Sequence, residues 1–449
     1  LSPFGEKSCC SREGGKLANL FAGQRRLQSS DKHTEFSNLS SMISTNILEE
    51  LQALDAKYAF QNYGTRQNVL LRSGQGIHLF GENGERYLDF LGGIAVTILG
   101  HNHPKVSAAI IEQAQSVLHV SNFFYIEPQV RLAAKLSQLA EAAHGGAWRT
   151  FFCNSGAEAN EAAIKIARRY AFERGEVARN EIVTLKKSFH GRTLGALAAT
   201  GQPKYQEGFG PLPEGFVHCE LDDLADLRRV VSEKTAAVMF EPILGESGVI
   251  PLSDAFILGA REVCDQSGAL LVIDEVQSGC GRTGKFWSHE WQGVKPDIIP
   301  MAKGLANGVP IGAVTARAEI AAALTPGTHG TTFGGNFLAA AAGLATIEAL
   351  LEENWLQNAV EVGEYFAAQL EKWGEETGIV AEIRQRGLMI GVSLRVPKAS
   401  EIRGEALRRG LIFNAVGTEI LRFLPPLICA REDVDEALEI LRASWEAVR

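Results

Sequence analysis

The stretch 269-ALLVIDEVQSG-279 joins a short aliphatic run to two carboxylates that follow it directly. Residues 269–273 have the length and composition of a strand that is buried on both faces. Asp274 and Glu275 stand at the carboxyl end of that strand, where an unpaired charge would be costly to bury. The stretch therefore predicts a buried parallel strand whose end carries an acid with a function.

The sequence around this strand alternates apolar runs with helical segments. Other strand candidates are TFFC (150–153), EIVTL (181–185) and AAVMFEPI (236–243), and helix candidates are EANEAAIKIARRY (158–170) and FILGAREVCDQSG (256–268). This alternation predicts an α/β fold with a mainly parallel sheet and helices on both faces. Ligands of such sheets bind at the carboxyl ends of the strands.

The chain is expected to have four parts. Residues 1–41, rich in Ser, Gly, Lys and Arg, are expected to be a disordered extension, either from a start codon called too early or from a cleaved targeting segment. Residues 42–100 are expected to contribute to a small domain and to begin with a helix over 42–58. Residues 101–340 form a large domain, and residues 341–449 form a smaller α+β domain.

Composition restricts the class of partner. With 449 residues, a net charge of -9 and a pI near 5.7, the chain is not expected to bind nucleic acid or a membrane surface. No apolar stretch approaches the roughly 18 residues of a membrane span. Seven scattered cysteines without a C-x-x-C pair favour reduced thiols in a cytoplasmic protein.

Two glycine-containing segments resemble phosphate sites. GCGRTGK (279–285) has the spacing of a nucleotide-binding loop, but Phe286 follows where a magnesium-binding hydroxyl is needed. The segment NSGAEANEA (154–162) is the better candidate because a strand ends there and Ser155 and Glu158 have capping-box spacing. Free amides at the start of that helix would bind an anion, although a well-capped helix alone explains the same pattern.

A lysine completes the pattern. Lys303 lies 29 residues beyond Asp274, among small residues where burial lowers the pKa of an amine and favours Schiff-base chemistry. An acid at a strand end can keep the ring nitrogen of a pyridine protonated. A phosphate site, a pyridinium acid and a reactive lysine together predict pyridoxal phosphate as the cofactor.

Six segments carry a family resemblance. They are NSGAEANEAAIKIAR (154–168), SFHGRT (188–193), FEPILGESG (240–248), LLVIDEVQSGCGRTGKF (270–286), PDIIPMAKGLANGVPIGA (296–313) and THGTTFGGN (328–336). The chain closely resembles the subgroup III, fold-type I, pyridoxal-phosphate aminotransferases from about residue 46 to its C-terminus. The resemblance implies that fold and a transaminase acting on small amino acids and 2-oxo acids.

The resemblance also implies roles for individual residues. Lys303 is the catalytic lysine that binds the cofactor and moves the proton. Residues implied to bind the cofactor are Gly156, Ala157, Phe189, Asp274, Gln277, Lys303 and Thr332. Thr332 reaches the phosphate from a neighbouring subunit in this family, which implies a homodimer with shared active sites.

Substrate recognition is implied for Arg192, Arg422, Glu246 and Thr331. Arg192 would hold the distal carboxylate of the substrate, and Arg422 the α-carboxylate of glutamate and 2-oxoglutarate. Glu246 would pair with Arg422 while the amine donor is bound. Thr331 would lie beside the substrate at the subunit boundary.

Several alternatives stay open at this point. Arg192 could only brace a loop, and Glu275 is interpreted as a structural acid. His101 and His103 are explained by the turn before a helix, so no metal is predicted. A decarboxylase or aminomutase on the same scaffold, or a silent cofactor-binding protein, would keep the fold and change the reaction.

Overall fold

The computed structural model describes residues 47–449, which form two compact units divided after Leu70. The predictions for residues 1–41 lie outside the described residues. In the first unit, helix α1 (Ile47–Tyr58) confirms the predicted helix over its described part. None of the helices in residues 47–449 is both long and apolar enough to cross a membrane.

The second unit contains seventeen strands in its described range. They are β1 (Leu71–Gln75), β2 (His78–Gly81), β3 (Arg86–Asp89), β4 (Trp148–Cys153), β5 (Glu181–Leu185), β6 (Phe216–Cys219), β7 (Thr235–Phe240), β8 (Ile243–Leu244), β9 (Ile250–Pro251), β10 (Leu270–Ile273), β11 (Ile298–Met301), β12 (Gly312–Arg317), β13 (Val380–Arg386), β14 (Met389–Leu394), β15 (Leu411–Ile412), β16 (Asn414–Val416) and β17 (Ile420–Phe423).

The helices of this unit follow in the same order. They are α2 (Gly92–Ala95, a single turn), α3 (Pro104–Ala114), α4 (Glu127–His144), α5 (Gly156–Glu173), α6 (Leu194–Ala199), α7 (Pro203–Gln206), α8 (Leu224–Val230), α9 (Asp254–Ser267), α10 (Ala318–Ala321), α11 (Phe337–Glu352), α12 (Trp355–Thr377), α13 (Ala399–Arg408) and α14 (Arg431–Val448). Two 3-10 turns span Ser288–Trp291 and Lys303–Ala306.

The large sheet has the order β4-β12-β11-β10-β7-β5-β6. The pairs β11–β10, β10–β7, β7–β5 and β5–β6 are parallel, whereas β12 runs antiparallel to both of its neighbours. The predicted mainly parallel sheet is therefore confirmed, with one strand reversed. Pairing of Phe240 with Ile273 aligns the carboxyl ends of β7 and β10.

Alternate residues of β7 and β10 pack into two different cores. Ala237, Met239, Leu270 and Val272 lie in one core with residues of α5, whereas Val238, Phe240, Leu271 and Ile273 lie in another with residues of α9. Because successive side chains of a strand point to opposite faces, the two cores lie on opposite faces of the sheet. This arrangement confirms the α/β fold with helices on both faces.

Two smaller sheets involve the C-terminal region. One has the antiparallel order β13-β14-β17-β16, and the other has the order β1-β2-β3-β15. Leu411 of β15 pairs in parallel with Leu88 of β3, which joins strands near both ends of the second unit. The division of the chain at residues 100 and 340 stays a prediction.

Candidate active site

Asp274 follows β10 directly and is only 2% exposed. Its Oδ2 accepts hydrogen bonds from Asn160 Nδ2 and from His190 Nδ1, both at 2.7 Å. Its Oδ1 accepts from the backbone amide of Val276 at 2.9 Å. Three donors thus replace water around the buried charge and fix the direction of the carboxylate.

Glu241 occupies the equivalent position after the neighbouring strand β7. Its buried carboxylate accepts hydrogen bonds from the amides of Phe189 at 2.9 Å and Gly245 at 3.4 Å. Burial raises the pKa of Glu241 to about 7, and the nearby Asp274 acts in the same direction while His190 opposes it. Two adjacent strands therefore end in two buried acids with different environments.

Lys303 begins the 3-10 turn two residues after the end of β11, with a backbone φ of 42° that few non-glycine residues adopt. Burial lowers the pKa of its amine, against the opposing attraction of Glu246. A lysine with a lowered pKa is neutral more often at neutral pH. Lys303 is therefore suited to act as a nucleophile and as a base.

The start of helix α5 forms a cradle for an anion. Ser155 caps the helix by accepting a hydrogen bond from the amide of Glu158 at 3.2 Å, and Glu158 Oε2 accepts from the amide of Asn154 at 2.6 Å. The first amides of a helix have no partner within it, so they are free to bind an anion. Added bulk would close the cradle, since a Cβ on Gly156 would lie 2.7 Å from Val276 Cγ1.

One cavity of about 420 Å³ brings these groups together. Its lining includes Gly156 and Ala157 at the helix start, together with Asp274, Gln277 and Lys303. Gln277 Oε1 is buried and has no hydrogen-bond partner in the described part of the chain. An anion cradle, a buried acid, an amine and an unsatisfied acceptor in one cavity fit the phosphate, ring nitrogen, aldehyde and hydroxyl of pyridoxal phosphate.

An ion pair between buried Arg422 and partly buried Glu246 lies next to this cavity. Arg422 in β17 is 1% exposed and donates through Nη1 to Glu246 Oε1 and to the Gly245 carbonyl oxygen, both at 2.8 Å. Burial alone would raise the pKa of Glu246, but Arg422 and Lys303 outweigh it and hold that pKa below its ordinary value. Gln277 Nε2 also approaches Glu246 Oε1 at 3.3 Å.

Arg192 lies on the cavity wall and is exposed. Its guanidinium is 5.6 Å from the centre of the Phe189 ring and 4.0 Å from that of the Tyr205 ring. It forms no ion pair with any acid of residues 47–449. An arginine without an acidic partner beside a cavity is available to a carboxylate ligand.

The two predicted threonines do not line this cavity. Thr331 Oγ1 accepts a hydrogen bond from Asn154 Nδ2 at 3.1 Å, so it lies close behind the cavity wall. Thr332 is exposed and forms no hydrogen bond in the part of the chain that the structure describes. Within one chain, therefore, Thr332 is separate from the other predicted cofactor-binding residues.

Glu275 has a structural environment, unlike its neighbour Asp274. Its Oε1 accepts from the backbone amide and the ring Nδ1 of His289, at 3.0 and 2.7 Å, and its Oε2 accepts from Ser278 Oγ at 2.7 Å. The other histidines considered above are also engaged. His101 pairs with Asp89, and His103, at the N-cap position of helix α3, pairs through its side chain with Glu353 at 3.2 Å.

Sequence reasoning assigned no role to Asn160, His190 or Glu241. All three line the cavity. Asn160 lies one helical turn after Gly156, a spacing that places both residues on the same side of α5. Glu241 repeats the signal of Asp274, since both acids directly follow a buried strand. His190 gave no comparable signal because its partner Asp274 is 84 residues away.

Comparison with known proteins identifies the family to which this chain belongs. The family model described as Aminotransferase class-III matches residues 60–444. The acetylornithine aminotransferase of Methanocaldococcus jannaschii is 45% identical over 86% of this chain and 96% of its own length. That of Gloeobacter violaceus is 47% identical over 84% of this chain and 93% of its own length.

Solved structures give the same result. The N-acetylornithine aminotransferase from Stenotrophomonas maltophilia is 37% identical, with a TM-score of 0.75 over 86% of this chain and 98% of that one. The ornithine aminotransferase from Toxoplasma gondii is 30% identical, with a TM-score of 0.84 over 93% of this chain and 99% of that one. The likeness in fold thus extends to relatives named for different amine donors.

Proposed function

The chain belongs to the class-III aminotransferases and is a pyridoxal-phosphate-dependent enzyme, and from this premise we propose that it transfers the terminal amino group of N-acetylornithine to 2-oxoglutarate. The products would be N-acetylglutamate 5-semialdehyde and glutamate, in arginine biosynthesis. Arg192, an exposed guanidinium on the cavity wall without an acidic partner in residues 47–449, is the observation that supports a donor with a carboxylate at its far end. The similarity to acetylornithine aminotransferases favours N-acetylornithine among such donors.

Bound pyridoxal phosphate supplies an aldehyde carbon that takes up the amino group and an electron-poor ring that weakens the neighbouring C–H bond. In this proposal the amides of Gly156 and Ala157 would bind its phosphate, and Phe189 would pack against its ring. Asp274 would keep the proton on the ring nitrogen, and Gln277 Oε1 would accept from the ring hydroxyl. The orphaned oxygen of Gln277 and the three donors around Asp274 support these roles.

Lys303 moves the proton of the reaction. Its Nζ would take the proton from the substrate carbon that bears the amine and deliver it to the cofactor carbon that takes up the amino group, and the reverse half-reaction would move the proton the opposite way. Burial lowers the pKa of Lys303, which leaves more of the amine neutral and ready to accept that proton. Glu246, Glu241 and Asp274 oppose the shift and keep the amine basic enough to hold the proton once it is taken.

Arg422 and Glu246 separate the two half-reactions. When the reacting end of the donor carries no carboxylate, Glu246 stays on Arg422 and neutralises its charge. Glutamate and 2-oxoglutarate bring an α-carboxylate that replaces Glu246 on the guanidinium. One buried arginine can therefore serve one substrate and be masked for the other.

A second copy of the chain would complete the site. Thr332 is exposed in one chain, as are the aromatic side chains of Phe123 (93%), Tyr125 (96%) and Phe333 (60%). Exposed aromatic groups of this size indicate a protein interface, and a homodimer would bring Thr332 to the phosphate of the partner's cavity. A monomer by sedimentation velocity would contradict this part. The cytoplasmic location stays a prediction.

The role of Arg192 is tested by Arg192→Gln. Because the variant keeps a polar group and loses the charge, kcat/KM for N-acetylornithine should fall about 10- to 100-fold while the bound cofactor keeps its visible spectrum. The control Lys204→Met removes a nearby cation that does not line the cavity. Unchanged kcat/KM in Arg192→Gln would remove the basis for the proposed donor.

The alternative activities keep the fold and mechanism and change the amine. They are transamination of ornithine, 4-aminobutyrate, N-succinylornithine or a carrier-bound lysine. The likeness to a solved ornithine aminotransferase is the observation that keeps ornithine in this group. Comparison of these donors with N-acetylornithine decides between them.

A further inference from the structure

Tyr205 lies outside the cavity lining but contacts the residue that the proposed function makes central. The Arg192 guanidinium stands over its ring at 4.0 Å from the centroid, closer than the 5.6 Å to Phe189. The rings of Tyr205 and Phe189 meet edge to face, with centroids 5.8 Å apart and an interplanar angle of 81°. Arg192 thus packs against two perpendicular aromatic rings.

The backbone fixes the position of Tyr205. It belongs to the short helix α7, whose Gln206 side chain donates to the carbonyl oxygens of Leu197 at 3.1 Å and Thr200 at 2.9 Å. The Tyr205 amide also donates to the Gln202 carbonyl oxygen at 3.0 Å. These bonds tie α7 to the segment that follows Arg192, so the ring is a fixed surface for the guanidinium.

Arg192 needs such a surface because it has no acidic partner in residues 47–449 and its other ring contact, with Phe189, is more distant. An exposed arginine samples many rotamers, and a flat ring that stacks on the guanidinium restricts them while leaving the N–H edge free for a carboxylate. No acid of residues 47–449 pairs with Arg192, and the Tyr205 hydroxyl forms no hydrogen bond within that range. The contact therefore depends on the ring of Tyr205.

We propose that Tyr205 is the positioning residue that sets Arg192 for its substrate carboxylate. On this basis, the Tyr205–Arg192 stack determines how strongly the enzyme prefers amine donors that carry a distal carboxylate. The inference rests on the proposed function, because Arg192 must bind that carboxylate. Tyr205 acts through Arg192 and does not touch the substrate.

The test measures the carboxylate preference, defined as the ratio of kcat/KM for N-acetylornithine to that for N-acetylputrescine. The second amine is the first without its carboxylate, so the ratio isolates the contribution of that group. In Tyr205→Leu the ratio should fall about 3- to 30-fold, through a higher KM for N-acetylornithine with little change in kcat. The kcat/KM for N-acetylputrescine and the visible spectrum of the cofactor should stay the same.

Two matched variants identify the ring as the cause. Tyr205→Phe keeps the ring and should keep the ratio within about twofold, since the hydroxyl contributes nothing. Lys204→Met removes the other cation on the same ring, which stands 4.7 Å from its centroid, and should also keep the ratio. If Tyr205→Leu does not bind the cofactor, Tyr205→Met, which has a side chain of similar size, replaces it. The same fall in the carboxylate preference is expected for that variant.

The outcomes are distinct. A ratio retained in Tyr205→Leu, or lost equally in Tyr205→Phe, overturns the inference while the proposed function stands. A wild-type enzyme without any preference for N-acetylornithine over N-acetylputrescine overturns the proposed function itself. A ratio that falls in Tyr205→Leu and holds in the two matched variants supports the positioning role.

Discussion

The floor and the mouth of the cavity are built in different ways. On the floor, Asp274 accepts three hydrogen bonds and Glu241 accepts two, all from groups of the same chain. At the mouth, Arg192 is exposed and packs against rings, and outside the cavity lining Thr332 is exposed without a partner in the described residues. The two acids of the floor have their hydrogen bonds before any ligand binds, whereas Arg192 and Thr332 leave their polar groups for the substrate and, in our proposal, a second chain.

This contrast separates reaction from specificity. Buried groups held by several hydrogen bonds keep a fixed geometry, which proton transfer requires. Exposed groups with few contacts can change between homologous enzymes without disturbing the floor. We therefore expect floor variants to lose the reaction and mouth variants to change the substrate.

The largest effect is expected for Lys303→Ala on the floor. Loss of the amine removes both the cofactor linkage and the proton carrier, so the single-turnover rate with N-acetylornithine should fall roughly 10³-fold or more. Lys285→Ala is the control, because that exposed lysine belongs to the segment GCGRTGK and lies outside the cavity. Turnover within tenfold of the wild type in Lys303→Ala would contradict the mechanism.

Asp274→Asn should have the next largest effect. The variant keeps the size of the side chain and removes the charge that holds the proton on the ring nitrogen. We therefore expect kcat to fall by roughly 10²-fold, while the melting temperature stays the same or rises. Its matched control is Glu275→Gln, one residue away.

Glu275 bonds His289 and Ser278 and does not line the cavity. Glu275→Gln should therefore lower the melting temperature and leave kcat of the folded enzyme within a few-fold. The reverse pattern, with activity lost in Glu275→Gln and kept in Asp274→Asn, would exchange the roles of the two acids.

Glu246→Gln tests whether the ion pair between Glu246 and Arg422 controls which substrates reach Arg422. Without its negative charge, position 246 no longer competes with a substrate carboxylate for Arg422. The ratio of kcat/KM for glutamate to that for N-acetylornithine should rise by about tenfold. Single-turnover kinetics with each amine measure this ratio, and an unchanged value would show that the ion pair does not control access to Arg422.

The smallest effect is expected for Glu241→Gln and concerns pH. Burial raises the pKa of Glu241 to about 7 from the ordinary 4.5, so the folded protein binds a proton that the unfolded chain releases between these values. Stability from this group is therefore present below about pH 4.5 and is lost as the pH rises towards 7. The melting temperature of the variant relative to wild type should rise by roughly 1–4 °C between pH 5 and pH 8. A difference that does not change with pH would mean that Glu241 is ionised throughout.

The sequence predicted the parts of the fold that have strong local patterns. Strands β7 and β10 and helices α5 and α9 follow from apolar runs and helical spacing. Strand β12 (GAVTAR) was not predicted, because its small residues have low strand propensity and its two antiparallel neighbours hold it in the sheet. The pairing of β3 with β15 was missed for a different reason, because it joins segments that are far apart in the chain.

The site divides in a similar way. Asp274 and Lys303 were predicted because few other chemistries explain an acid and a lysine in that order. Asn160 and His190 were missed because their function is to bond Asp274, 114 and 84 residues away in the chain. Tyr205 was missed because it acts on Arg192 across space and carries no motif of its own.

The central claim is that the mouth of this cavity selects N-acetylornithine. The most direct test mixes the cofactor-loaded enzyme with N-acetylornithine, ornithine or 4-aminobutyrate, without 2-oxoglutarate, and follows the loss of the visible absorbance of the cofactor in one turnover. We expect N-acetylornithine to react at least about tenfold faster than the other two at equal concentration, because all three donors carry a distal carboxylate for Arg192 but the similarity to acetylornithine aminotransferases favours the acetylated amine. Equal or faster reaction of ornithine or 4-aminobutyrate would contradict the claim and assign the chain to a sibling activity on the same floor.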